Sequence, residues 1–264
     1  MSSTYAVRDS MTMLRRNLKH MQRYPAMTFS AVLLPLLMLL LFVFVFGAPL
    51  GHGLGLSGAA SIRSQYANYI TPGILLVAIT SGSVATAVSV CTDMTEGIIN
   101  RFRTMSIARS SVLTGHVIGS VIQTFVSLIL VVAVALAVGF RPHATVVEWI
   151  AALGLLALLA FGLTWISAAI GLGSKTVEAA SNAPMPLTFL PFLGSAIVTP
   201  QSMPVGLRWF AEYQPFTPIN ETLRGLLLGG GIGNNGWIAV AWCVGLSVVG
   251  FLWARSTYSR ATKH

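Results

Sequence analysis

Six apolar runs, each of roughly 20 residues, decide what this chain can fold into. They cover about Met27 to Phe46, Pro72 to Val90, Val117 to Gly139, Trp149 to Leu172, Ala179 to Val198 and Ile232 to Trp253. A helix rises about 1.5 Å per residue, so a run of this length matches a hydrocarbon core about 30 Å thick, and backbone that crosses lipid has to bond to itself. The expected fold class is therefore an all-α polytopic membrane protein with six transmembrane helices. Composition agrees: 55% of the 264 residues are hydrophobic and 9% are charged, too few charges to coat a soluble surface. The first run is longer than the apolar part of a signal peptide and no small-x-small cleavage site follows it, so it is expected to stay as an anchor.

An even number of crossings puts both termini on one side, and Lys and Arg choose which. Arg8, Arg15, Arg16, Lys19 and Arg23 precede the first run, Arg101, Arg103 and Arg109 follow the second, Lys175 follows the fourth, and Arg255, Arg260 and Lys263 end the chain. Only Arg63, Arg141, Arg208 and Arg224 fall on the other side. Cytoplasmic loops carry the excess of Lys and Arg, which places both termini in the cytoplasm. The net charge of +9 raises nucleic acid as a partner, but the basic residues sit at span ends rather than in a stripe interleaved with aromatics, and that class is excluded.

Two segments flank the spans. Residues 4–24 repeat Val7, Met11, Leu14, Leu18 and Met21 at alternating helical spacings with basic residues on the other faces, the pattern of an interfacial helix on the cytoplasmic leaflet. A coiled-coil seam needs a longer repeat. Residues 199–231 mix prolines and aromatics with a second periodic run, Ile219 to Leu228. This segment is too proline-rich to span and too apolar to float, and is expected to fold back against the outer leaflet. The first external loop, with its cluster of glycines from Gly47 to Gly58, reads as a flexible or tightly packed turn. The fifth run holds Pro184, Pro186 and Pro191, which free backbone carbonyls that lipid cannot satisfy. A broken helix there marks either a moving part near a transport path, the favoured reading, or a packing feature.

Catalytic chemistry is hard to find. The seven acids, Asp9, Asp93, Glu96, Glu148, Glu178, Glu212 and Glu221, lie near span ends or in surface segments, so no mid-membrane carboxylate supports a proton-coupled pump. His20, His52, His116, His143 and His264 lack metal-ligand spacing and read as interfacial residues. The stretch Gly171 to Thr176, G-L-G-S-K-T, imitates a phosphate loop, but Ser174 stands where glycine must precede the lysine, and a transmembrane helix, not a strand, leads into it. No catalytic, metal-binding or cofactor-binding residue is assigned. Cys91 and Cys243 form no framework. They fall at different membrane depths, so both thiols are expected to be free, with Cys91 the more reactive toward a polar reagent.

The polar insert after the second run, C-T-D-M-T-E-G-I-I-N-R-F-R-T-M-S-I-A-R, places Asp93, Glu96 and Gly97 ahead of Arg101, Arg103 and Arg109, with Ile98, Phe102 and Met105 as apolar contacts. This is a short amphipathic helix over residues 94–105 suited to a socket on a cytoplasmic protein partner. In the 199–231 segment, Glu212, Glu221 and Arg224 sit among apolar residues; Glu221 and Arg224 are three apart and able to pair on a helix, and the three are expected to hold an external gate.

Taken together, the E-G-x-x-x-R-F-R insert, the pairs Met203-Pro204, Gln214-Pro215 and Thr217-Pro218, the run Phe210-Ala211-Glu212 and the run Leu223-Arg224-Gly225-Leu226-Leu227 resemble the ABC-2 type transporter permeases, most closely their daunorubicin-resistance drug-export group. The likeness covers nearly the whole chain as one domain, 1–264. It departs at Ser106, where the family commonly has proline, which changes the exit from the insert helix. The resemblance implies the permease subunit of an ATP-binding cassette exporter in a bacterial cytoplasmic membrane, moving a hydrophobic or amphiphilic substrate among membrane lipids. It implies a second permease, the same or homologous, and two copies of a cytoplasmic ATPase, which would hold the ATP and magnesium, this chain holding neither. Export of a lipid, polyketide or cell-envelope precursor is the alternative, and a membrane partner that transports nothing is a lesser one.

Overall fold

The computed structural model describes residues 25–53, 59–95 and 109–261. The expected interfacial helix, 4–24, and residues 96–108 of the insert lie outside the described residues. Every regular element described is helical: α1 (Pro25–Phe44), α2 (Gly47–Gly53), α3 (Ala59–Thr95), α4 (Arg109–Val138), α5 (Val146–Gly173), α6 (Val177–Asn182), α7 (Met185–Phe189), α8 (Val205–Tyr213), α9 (Phe216–Leu228) and α10 (Asn235–Ala261), with 3-10 turns at Leu190–Leu193 and Pro200–Ser202.

Among the described residues, four stretches are long and apolar enough to cross a membrane: Ile62–Thr95, Leu113–Val138, Val146–Gly173 and Asn235–Ser259. Helix α1, 20 residues long, has the length of one crossing and is apolar over Val32–Phe44. Outward faces carry Leu37 and Phe44 on α1, Ile129 on α4, and Trp237, Val249 and Leu252 on α10, all exposed. Apolar surface on this scale is unstable against water and at home against lipid.

Helix α3 is the axis of the bundle. Its most apolar window is 67% buried, against 28%, 39% and 22% for the other three, and α1, α2, α4, α5, α6, α7 and α9 all pack on it. Small residues make this possible, because without a hydrophobic drive between helices in lipid, close backbone approach supplies the attraction. A Cβ on Gly171 of α5 would strike the backbone carbonyl of Ala87, and one on Gly73 would lie 2.6 Å from the Ala196 Cβ.

The second run is longer than hydropathy suggests. The sequence starts it at Pro72, whereas α3 begins at Ala59 and passes through Pro72 without ending. The polar residues of this extension serve neighbouring backbone rather than water: the Ser64 hydroxyl donates to the Gly139 carbonyl at 2.7 Å, and Asn68 Oδ1 accepts from the Arg141 amide at 2.7 Å. The glycine-rich stretch 47–53, expected as a turn, is the short helix α2 packed against α3.

The fifth run is not one helix. Ala180 and Pro184 face inward while α6, α7 and the 3-10 turn at Leu190–Leu193 succeed one another across the three prolines. The segment nevertheless follows α3 lengthwise. At its start the Cys91 thiol lies 3.7 Å from the Ser174 carbonyl, and near its end Ala196 meets Gly73. Those two positions on α3 are about 27 Å apart at ~1.5 Å per residue.

Within the 199–231 segment, α8 exposes Val205, Trp209 and Tyr213 along one face, with the two rings 5.4 Å apart. Helix α9 does the opposite and buries most of its length against α3, α5 and α10.

Candidate functional site

Polar side chains gather at the two ends of α3. At the insert end, Asp93 closes the last turns of α3 and His116 stands in the second turn of α4. Both are buried, 8% and 6% exposed, and His116 Nε2 donates to Asp93 Oδ2 at 2.9 Å across a sequence separation of 23. One turn along each helix from the pair stand Val90 and Leu113, members of an apolar cluster with Val117, Trp165, Leu172 and Ala254, which ties α3 and α4 to α5 and α10. In such surroundings a carboxylate is tolerated only when it is bonded.

Of the insert residues, Asp93 is placed and Arg109 opens α4, while Glu96, Gly97, Ile98, Arg101, Phe102, Arg103 and Met105 lie outside the described residues. His116, read from sequence as one of five interfacial histidines, is instead enclosed in the bundle. The signal available in the sequence was a titratable residue directly before the run that starts at Val117, as Asp93 stands shortly after the run that ends at Val90. Cys91 also departs from expectation. Both cysteines are free, but both are buried; the start of the broken segment, at Ser174, covers the thiol that was expected to react.

At the opposite end of α3, Arg224 of α9 organises a larger network. Its Nη1 donates to Glu221 Oε1 at 2.6 Å, its Nη2 donates to the carbonyls of Ser195 at 3.0 Å and Tyr69 at 3.2 Å, and its guanidinium lies 3.9 Å from the centre of the Tyr69 ring. Asn220 Nδ2 donates to both the carbonyl and the hydroxyl of Ser195 at 3.0 Å. Gln214 Nε2 donates to the Leu190 carbonyl at 3.0 Å. The local reason is the broken fifth run. After the 3-10 turn the chain has no helix to receive the Ser195 carbonyl, and lipid offers no donors, so Arg224 and Asn220 of α9 supply them from their side chains.

The i, i+3 pairing of Glu221 with Arg224 is thus present, whereas Glu212 stands apart. It accepts from Arg208 Nε at 2.7 Å on the exposed side of α8 and makes no hydrogen bond to the Arg224 network. Tyr69, Ser195 and Asn220 complete that network and carried no sequence signal of their own. Among the described residues no three His, Cys, Asp or Glu side chains come together as a metal site.

The ABC-2 type transporter family matches residues 9–228 of the chain. Relatives include the daunorubicin resistance ABC transporter permease protein DrrB1 of Streptomyces coeruleorubidus, 28% identical over 225 residues, 85% of this chain and 76% of the relative. The probable doxorubicin resistance ABC transporter permease protein DrrC of Mycobacterium tuberculosis, in strains CDC 1551 / Oshkosh and ATCC 25618 / H37Rv, is 20% identical over 195 residues, 74% of this chain and 71% of the relative. With most of its length matched, the chain belongs to the ABC-2 type transporter family.

Proposed function

We propose that this chain is the membrane permease subunit of an ATP-binding cassette exporter that carries hydrophobic or amphiphilic compounds, drugs first among them, out of the cell. The observation that carries the reading is the family match together with relatives that are named as resistance permeases over most of both chains. Six crossings follow if α1 and the broken segment from Ser174 to Ala196 are counted with the four long spans; the alignment of that segment along α3 supports this count. Both termini and the insert then face the cytoplasm of a bacterial inner membrane, as the Lys and Arg distribution requires.

In this reading Glu96, Gly97, Ile98, Arg101, Phe102, Arg103, Met105 and Arg109 form the face that docks on a separate ATPase, present in two copies, and a second permease completes the path; Asp93, expected on that face, is instead buried beneath it against His116. The ATPase supplies the free energy of ATP hydrolysis. This chain's part is mechanical: α3 runs from the docking insert to the network that anchors α9, so a displacement at one end is felt at the other. Glu221 and Arg224 act at an outer gate; Glu212 does not.

The test is ATPase activity and flux in proteoliposomes containing the permease and its cognate ATPase, across a panel of anthracyclines and lipids. ATP-dependent anthracycline flux is expected. Stimulation by lipid alone would move the substrate to the envelope-precursor class, and no ATP-dependent flux of any compound would overturn the exporter reading.

A further inference from the structure

The insert enters by α3 and leaves by α4, so any force applied to it reaches the bundle through two separate helices. Those helices also pack side by side, but dispersion contacts between apolar groups have no preferred direction of their own. A hydrogen bond is directional and loses its strength when its angle or length changes. Between α3 and α4 at this level the Asp93–His116 bond, at 2.9 Å, supplies that rigidity. Both partners are buried, one helical turn from Val90 and Leu113 of the apolar cluster that also holds Trp165 and Leu172, so separation of the helices would leave a buried carboxylate without this donor.

We infer that His116 is a positioning residue for energy coupling: its bond to Asp93 locks α3 to α4 at the base of the insert, so that load applied to the insert moves both helices as one body. The inference rests on the exporter reading and adds to it a residue outside the insert that never touches the ATPase. Beyond this lock, α3 carries the motion past the Ser174 contact to the Tyr69 and Ser195 carbonyls bonded by Arg224. Without it, the ATPase would still dock on the insert and turn over, but the push would splay α4 from α3 instead of translating α3.

The experiment compares wild type, His116→Leu and His116→Gln in the complete permease–ATPase complex in proteoliposomes, reading substrate exported per ATP hydrolysed alongside thermal stability and copurification of the ATPase. Gln keeps an N–H donor within reach of Asp93 and Leu removes it. Leu is expected to lower substrate exported per ATP by roughly tenfold, within the usual range for coupling between sites, with the ATPase still bound and hydrolysing; Gln is expected to restore most of the ratio. If Leu does not accumulate in the membrane, His116→Met, which fills similar space without a donor, takes its place. A donorless variant that exports as efficiently as wild type, or a Gln variant as uncoupled as Leu, overturns the inference. Wild type without ATP-dependent flux would instead overturn the exporter reading beneath it.

Discussion

The two ends of α3 are both polar, but their side chains do different work. At the insert end, Asp93 and His116 bond to one another and join two intact helices. At the opposite end, Arg224, Asn220 and Gln214 bond mainly to backbone carbonyls exposed by a helix that three prolines have broken. The difference separates fold from coupling. Carbonyls that lipid cannot serve have to be satisfied in every state of the protein, so the α9 network is part of what keeps the bundle folded. A bond between two complete helices can be lost with the helices still formed, and its loss is felt in how they move.

The largest expected effect follows from removing the hub of the first kind of contact. Arg224→Met strips donors from the Ser195 and Tyr69 carbonyls and leaves Glu221 without its partner. The side chains of the ion pair are 16% and 32% exposed, so water screens part of the loss, and a destabilisation of about 2–3 kcal/mol is expected. Thermal unfolding in detergent would read it. Arg224→Lys should recover only part, because one ammonium cannot reproduce the forked contact with two carbonyls while stacking on Tyr69. Full stability in the Met variant would remove the contrast between the two ends.

Next in size is a steric test of how closely the segments lie on α3. Gly171→Ala adds a methyl group against the Ala87 carbonyl, which is backbone inside a helix and cannot rotate away; overpacking of this sort costs about 1–3 kcal/mol. Gly154→Ala, in the same helix with nothing within 4 Å, should be neutral or stabilise by up to about 1 kcal/mol through reduced backbone freedom. Equal behaviour of the two variants in thermal unfolding would contradict the close packing of α5 on α3.

A smaller effect is expected at Asn220. Asn220→Ala removes both bonds to Ser195, but Arg224 still serves the same carbonyl, so about 1 kcal/mol is lost, in line with hydrogen bonds measured between membrane helices. Combined with Arg224→Met the loss should exceed the sum of the two, since only then is the Ser195 carbonyl deprived of both of its short bonds. Simple additivity in the double variant would mean that the two donors act independently.

Particular residues show where the sequence was legible. The apolar runs were, because hydropathy over roughly 20 residues is a direct image of bilayer thickness. The start of α3 was not: Ser64, Asn68 and Pro72 look like a loop, yet two of them bond to the α4–α5 connection and the helix passes through the third. Glu221 with Arg224 was legible, since their spacing and geometry are local to one helix turn. Ser195 was not, because a backbone carbonyl acceptor leaves no trace in residue identity. His116 was hidden for a third reason: its partner is 23 residues away across the insert, and no periodicity links the two.

The smallest effect sharpens the comparison from outside it. Glu212 shares its charge and its segment with Glu221, and from sequence the two belong together. The structure separates them by exposure and by partner. Glu212 pairs with Arg208 one turn away on α8, with both side chains more than a third exposed, whereas Glu221 pairs with an arginine fastened to α3 and the broken segment. An exposed i, i+4 pair contributes about 0.3–0.5 kcal/mol and less in salt. Glu212→Gln should therefore leave thermal unfolding nearly unchanged at physiological ionic strength, while Glu221→Gln lowers it measurably and raises substrate leakage through the reconstituted complex. If Glu212→Gln proved as leaky as Glu221→Gln, the outer polar site would extend onto α8, and the division between a solvated surface pair and a network holding broken backbone would fail at this end of the molecule.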